Sequence, residues 1–274
     1  MQEFQRNRFR TACWRRGWRR DEPKQFFFFA LLILVFVLPF SRPAHAAACR
    51  QALALGLDVS GSVDADEYRL QLDGLAAALT SPEVVSALIS DAASPVRISV
   101  YEWSGPDHQM PILAWTTLET EADILFAAAL LRAHQRPSNM PVTTALGEAV
   151  RHGLRLLSTQ DECWRKVLDI SGDGASNTGP RPQDLLISNL DSDVTVNALV
   201  IGADQRAEAN GPMAKTVDDL HGYFRSYVIR GPGAFVETAQ GFHDYEAAMR
   251  RKLLRELQSL AIGWAAPIEP GRIR

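Results

Sequence analysis

Residues 53–62 read Leu-Ala-Leu-Gly-Leu-Asp-Val-Ser-Gly-Ser, and no other stretch narrows the fold of this chain so far. The apolar run has no polar interruption, so it reads as a strand buried on both faces, as in parallel sheets covered by helices. It ends abruptly at Asp58, and hydroxyls follow at Ser60 and Ser62. A strand that hands over to a helix in this way does so at the carboxyl edge of its sheet, where open α/β folds keep their ligand sites. Three small oxygen groups on one tight loop suit a hard divalent cation such as Mg²⁺ better than zinc or copper. The same residues also suit a plain helix start, with serines as caps and Asp58 favouring the helix dipole. Taken alone, the stretch does not separate these readings.

Strand and helix patterns alternate through the rest of the chain. Strands are predicted at residues 53–58, 96–103, 166–171, 194–201 and 227–230. A shorter strand around 112–115 follows the turn Ser104-Gly105-Pro106-Asp107 and is expected to return antiparallel at the sheet edge. Helical periodicity predicts helices over 64–79, from Pro82 to Leu88, and over 120–133, 144–157, 183–190, 213–222 and 245–260. This alternation implies an α/β fold: a doubly wound, mostly parallel central sheet flanked by helices, Rossmann-like in its winding, with one short antiparallel edge strand. No repeat or linker divides residues 49–262, so they read as one domain; 263–274, with Pro267 and Pro270, read as a C-terminal tail.

The first 46 residues carry a different message. Arg15, Arg16, Arg19, Arg20 and Lys24 precede an apolar segment over 26–40, and Ala44-His45-Ala46 follows. A basic region, an apolar segment too short to span a bilayer and an Ala-x-Ala site predict a signal peptide cleaved near Ala46. The expected product is periplasmic or secreted, without a stable membrane span. It would keep 20 basic and 29 acidic residues, a formal charge of −9, which argues against nucleic acid and anionic membranes as partners. Two cysteines would remain in an oxidising compartment, Cys49 and Cys163. Cys49 lies nine residues before Asp58 and Cys163 ten before Asp173, which also ends a predicted strand. If those strands are parallel neighbours, both cysteines fall at their amino ends, and a disulfide is expected.

Oxygen-bearing side chains therefore gather on three loops at one predicted edge: Asp58, Ser60 and Ser62; Thr143 and Thr144; and Asp173. In this order and spacing they resemble the metal-ion-dependent adhesion site of von Willebrand factor A (vWA) domains, over most of residues 49–262. More narrowly, Glu102-Trp103-Ser104-Gly105, Asp169-Ile170-Ser171-Gly172-Asp173-Gly174 and Gly231-Pro232-Gly233-Ala234-Phe235 resemble a group of secreted proteobacterial proteins built on this domain and without an assigned function. The resemblance implies that Ser60, Ser62 and a threonine bind Mg²⁺ (or Mn²⁺) directly, with Asp58 and Asp173 acting directly or through water. Thr144 fits the spacing of the helix start better and Thr143 is the alternative. The vWA pattern commonly has glycine two residues before the threonine, where this chain has Val142 or Pro141. Hydroxyl ligands leave the cation under-neutralised, which implies an unidentified partner protein that offers a carboxylate.

Other signals carry less. The histidines at 108, 134, 152, 221 and 243 show no metal-like spacing and read as surface or packing residues. Asp169 and Asn197 interrupt apolar strands and read as satisfied buried polar groups. Trp103 and Trp115 read as core or edge packing. No nucleophile elbow or phosphate-binding loop is present. The expectation is an exported binding module without catalysis. The alternative is a Mg²⁺-dependent hydrolase or phosphatase of Rossmann-like fold, in which Asp58 would act beside the metal. Such phosphatases need a second aspartate two residues on, and Ser60 stands there.

Overall fold

A computed structural model describes residues 49–185, 193–202 and 216–262. The expected signal segment and C-terminal tail lie outside the described residues. Six strands form one sheet in the order β3-β2-β1-β4-β5-β6. They are β1 (Gln51–Asp58), β2 (Val96–Trp103), β3 (Gln109–Leu118), β4 (Lys166–Gly172), β5 (Val194–Ile201) and β6 (Val236–Ala239). All neighbouring pairs are parallel except β2 with β3, so the antiparallel strand sits at one edge as expected.

Six helices cover the sheet: α1 (Ala65–Leu79), α2 (Pro82–Leu88), α3 (Glu121–Ala133), α4 (Leu146–Leu157), α5 (Val217–Tyr227) and α6 (Tyr245–Ile262). Every residue of β1 is buried, the consequence of a strand with helices over both faces. Its alternation sorts the core into two layers. Leu53, Leu55 and Leu57 pack with α1, α2, α3 and α6. Ala52 and Ala54 face the layer of α4 and α5, where Tyr101 and Trp103 supply the bulk. Gly56 belongs to that second face: a Cβ there would stand 2.6 Å from the Tyr101 ring. The small residues of β1 thus make room for Tyr101, whose hydroxyl donates to the Ala149 carbonyl at 2.7 Å and fastens α4 to the sheet. Each fully buried Leu of this layer contributes about 1.5–3 kcal/mol by leaving water.

Helix starts follow local chemistry. Asp64 caps α1, with Glu67 bonding back to the Asp64 N–H; Thr120 and Asp123, then Thr216 and Asp219, repeat this reciprocal box at α3 and α5. The strands β1 and β4 are neighbours, and Cys49 and Cys163 at their amino ends form a disulfide with 4.3 Å between Cα atoms. Among the described residues no helix is long and apolar enough to cross a membrane.

Two expectations need correction. Residues 227–230 do not form the last strand: Val217–Tyr227 is helical, capped at Thr216, with Leu220 and Phe224 buried four apart. Arg230 makes only an isolated antiparallel bridge with Val196. Gly231 and Gly233, at φ 89° and 70°, then turn the chain, and β6 forms beyond them. Over 183–190 the structure has a single 3₁₀ turn at Pro182–Asp184, with 186–192 outside the described residues. Trp103 is wholly buried in the α4 layer, as packing predicts.

Candidate metal centre

Because β1 and β4 run side by side, Asp58 and Asp173 emerge from adjacent strand ends. Asp58 closes β1 and is fully buried. Its backbone is held from two sides: the Val59 N–H donates to the Trp103 carbonyl, and Gln71 Nε2 of α1 donates to the Asp58 carbonyl at 2.9 Å. Gln71 is fixed in turn by the Ser171 hydroxyl of β4 at 3.2 Å. One carboxylate oxygen of Asp58, Oδ1, accepts from the Ser60 N–H at 2.9 Å. The other, Oδ2, is buried and has no hydrogen-bond partner. The chain then bends so that the Ser60 and Ser62 hydroxyls lie 3.4 Å apart, and Ser62 Oγ donates to Asp173 Oδ1 at 2.8 Å.

The second loop is stitched to the first. The Gly61 N–H donates to the Val142 carbonyl at 3.1 Å, and a Cβ on Gly61 would stand 2.8 Å from that of Val142. The Ala145 N–H donates to the Ser104 carbonyl at 2.7 Å, tying the start of α4 to the end of β2. The two candidate threonines have different surroundings. Thr144 is buried; its N–H donates to Asn177 Oδ1 at 2.8 Å, and its hydroxyl lies 3.4 Å from Asn177 Nδ2. Thr143 is half-buried, with Oγ1 beside Gly105 at the β2–β3 turn. The structure therefore joins Asp58, Ser60, Ser62 and Asp173 by direct contacts. Thr144 is bonded to Asn177, on the loop that follows Asp173, and makes no hydrogen bond with those four.

Electrostatics supply the reason for a cation. Burial, and then the charge of Asp173, push the Asp58 carboxyl well above its ordinary pKa, against the opposing Ser60 N–H, Ser60 hydroxyl and Asp173 N–H. Burial also raises Asp173, with the Ser62 hydroxyl opposing. A buried carboxylate with a bare oxygen, in the field of a second, half-buried acid, is costly unless a positive charge or a proton joins them. Among the described residues no group of three or more His, Cys, Asp or Glu is disposed to hold a metal, so a closed soft-metal site is not built here. Two carboxylates with two or three hydroxyls are the donor set of a hard cation that keeps part of its water. These residues fit the group that the sequence implies.

Sequence reasoning missed three supports. Gln71 carried a signal, a polar residue three beyond Tyr68 on the buried stripe of α1. Asn177 had none, being one polar residue in a polar loop. Ser104, buried with an unpartnered hydroxyl beside the Asp58 strand end, carried only its place after β2. Two of the histidines, read as surface or packing residues, pack beside a buried acid. Glu102, fully buried, accepts from the Tyr68 hydroxyl at 2.8 Å, with His108 Nε2 at 3.2 Å and His134 Nε2 at 3.4 Å.

Comparisons with known proteins bear on the fold. In fold the chain is similar to proximal thread matrix protein 1 from the mussel byssus (17% identity, 78% of this chain and 48% of that one, TM-score 0.50). It is similar also to the pilus adhesin SpaC from Lactobacillus rhamnosus GG (12%, 77% and 31%, TM-score 0.52). A von Willebrand factor type A structure from Catenulispora acidiphila matches as well (12%, 76% and 43%, TM-score 0.46). The chain spans less than half of each of these proteins. None of the curated proteins matches it. At these identities the first two matches show a shared fold and nothing finer. Residues 48–261 match the family described as "Protein of unknown function (DUF1194)". With that match over most of the chain and this sheet beneath it, the protein belongs to the DUF1194 family, on a vWA-like fold.

Proposed function

We propose that the protein is an exported, divalent-metal-dependent protein-binding module without a catalytic step. The observation that carries this reading is Asp58 Oδ2: a buried carboxylate oxygen without a hydrogen bond, beside a second, half-buried acid. Ser60, Ser62 and Thr144 would hold Mg²⁺ or Mn²⁺ with Asp58 and Asp173, and the bound ion would supply an open position for an anionic oxygen. The hydroxyls add no charge, so with Asp58 and Asp173 acting partly through water the ion keeps the electrophilicity to accept a carboxylate from a partner protein. Val142, three-quarters exposed and bonded to the Asp58–Ser62 loop through its carbonyl, offers that partner an apolar rim. The Cys49–Cys163 disulfide agrees with an oxidising compartment, periplasmic or extracellular, to which the signal segment would deliver the chain. The mussel matrix protein and the pilus adhesin bear names of extracellular assembly, which is in keeping with this reading.

Capture from a periplasmic or culture extract tests it. The wild-type chain should retain a specific protein in Mg²⁺ and release it in chelator, and an Asp58→Asn chain should retain none. Retention that ignores both chelator and substitution would refute the role.

A further inference from the structure

Helix α3 is apolar on two sides. Its inner stripe, Ile124, Ala127, Ala128 and Leu131, is buried where the helix packs on α1 and β3. Its outer stripe, Ala122, Leu125, Phe126, Ala129, Leu130 and Ala133, repeats at the helical period and faces water. Leu125 is 51% exposed, Phe126 58% and Leu130 38%. One helix thus carries three of the seven large apolar side chains left exposed among the described residues, which sets this stripe apart from scattered surface apolars. A helix that is apolar on both its inner and its outer face is normally covered on both, and a contiguous exposed patch marks a contact surface.

The charges beside the stripe fit a second copy of the chain. Glu121 opens α3 and Arg132 lies in its last turn. Both are exposed, both lie within about 40° of Leu125 around the helix axis, and neither makes an ion pair among the described residues. An acid at one end and a base at the other complement themselves only when two copies of the helix run in opposite directions. Parallel copies would set Glu121 against Glu121 and Arg132 against Arg132. Antiparallel copies, related by a twofold axis level with Ala127 and Ala128, set Glu121 beside the second copy's Arg132, and the contact is made twice. The apolar residues obey the same axis. Ala122 falls opposite the second copy's Ala133, and Phe126 beside its Leu130. Large side chains meet at the centre, and alanines let the helix axes approach to about 8–10 Å.

We propose that the protein forms a symmetric homodimer through antiparallel pairing of α3. The apolar stripe supplies the attraction. The Glu121–Arg132 pairs, exposed and individually weak, fix direction and register. A single helix pair lies at the small end of the interface range, so the dimer is reversible, with a dissociation constant in the micromolar range. His134, directly after α3, sits beside Glu102, and the neighbouring Trp103 carbonyl holds the Val59 N–H of the metal loop. The carboxyl end of α3 therefore lies at the metal edge of the sheet. Antiparallel pairing turns the two metal edges to opposite ends of the dimer. On the metal-dependent reading above, such a dimer bridges two partner molecules; the pairing itself requires no metal.

Sedimentation equilibrium of the purified chain in chelator tests the pairing separately from the metal centre. The wild type should sediment as monomer and dimer, with the dimer growing as the protein concentration rises to about 200 μM. Phe126→Asp, in a chain whose circular dichroism matches the wild type, should weaken the dimer by about thirtyfold or more, as loss of a central anchor does. Glu121→Arg and Arg132→Glu should each weaken it, and the two exchanges together should restore it. Cross-linking reads the orientation: a mixture of Ala122→Cys and Ala133→Cys chains should yield a disulfide-linked pair, and neither chain should link to itself. A wild-type chain that stays monomeric at about 200 μM, the outcome if the stripe serves a different protein, would overturn the proposal. So would a dimer indifferent to Phe126→Asp, charge exchanges that do not rescue each other, open-ended association, or cross-links between like positions.

Discussion

Replacing Asp58 by asparagine separates a metal site from a structural turn. Asparagine keeps the oxygen that accepts the Ser60 N–H at 2.9 Å and replaces the unpartnered oxygen by an amide nitrogen. In the metal-free protein, above the raised carboxyl pKa, the substitution exchanges a buried ionised oxygen, which costs several kcal/mol, for an unpaired amide, which costs about 1–3 kcal/mol. The metal-free variant should therefore melt no lower than wild type at pH 8. The metal response is the opposite. A ligand at one hundred times its dissociation constant stabilises the folded state by about 2.7 kcal/mol. For a domain of this size each kcal/mol moves Tm by about 2–4 °C, so saturating Mg²⁺ should raise the wild-type Tm by roughly 5–11 °C. The Asp58→Asn chain should shift by less than about 1 °C on the same scale. Differential scanning fluorimetry in chelator and in excess Mg²⁺ measures both quantities. An equal metal shift in the two proteins, or a metal-free variant that melts many degrees lower, would refute the reasoning.

Other consequences follow from the same coordinates. Asp58 and Asp173 have pKa values raised above the ordinary 3.8, so in the metal-free protein they cost stability at high pH, a cost that fades as pH falls through the raised values. Since a cation needs both acids ionised, the Mg²⁺-induced Tm shift should be largest at neutral to alkaline pH and shrink steadily on acidification. A shift that grows toward acid would contradict this. The disulfide closes a separation of 114 residues, so the Cys49→Ser/Cys163→Ser protein should lose about 4–5 kcal/mol by the loop-closure argument, read from urea melts. Gly147→Ala would put a Cβ 2.0 Å from the Pro180 carbonyl oxygen. It should lower Tm and, by displacing the loop that carries Asn177, weaken metal binding measured by calorimetry.

How much of this was legible in the chain can be judged residue by residue. Asp58, Ser60, Ser62 and Asp173 were readable because strand ends in a parallel sheet are marked by an abrupt change from apolar to polar residues. The disulfide was readable for a related reason, as the distances from each cysteine to its edge acid imply neighbouring strands in register. The last strand was not. Residues 227–230 have a strand-like composition, but the helix capped at Thr216 runs through Tyr227, and two glycines with positive φ return the chain to form Val236–Ala239. Helix-start spacing favours Thr144 over Thr143, but the burial of Thr144 and its bonds to Asn177 are not visible in that spacing. Glu102 meets His134 across 32 residues of sequence, and Asp169 meets Lys252 across 83. No local pattern announces them.

Direct titration of the wild-type chain with Mn²⁺, followed by the loss of the free-ion electron paramagnetic resonance signal at pH 7.5, addresses the central claim most closely. The account predicts one bound ion per chain, displaced by excess Mg²⁺ and absent from a Ser60→Ala/Ser62→Ala chain that retains its fold. A wild-type chain that leaves the free Mn²⁺ signal unchanged would contradict it.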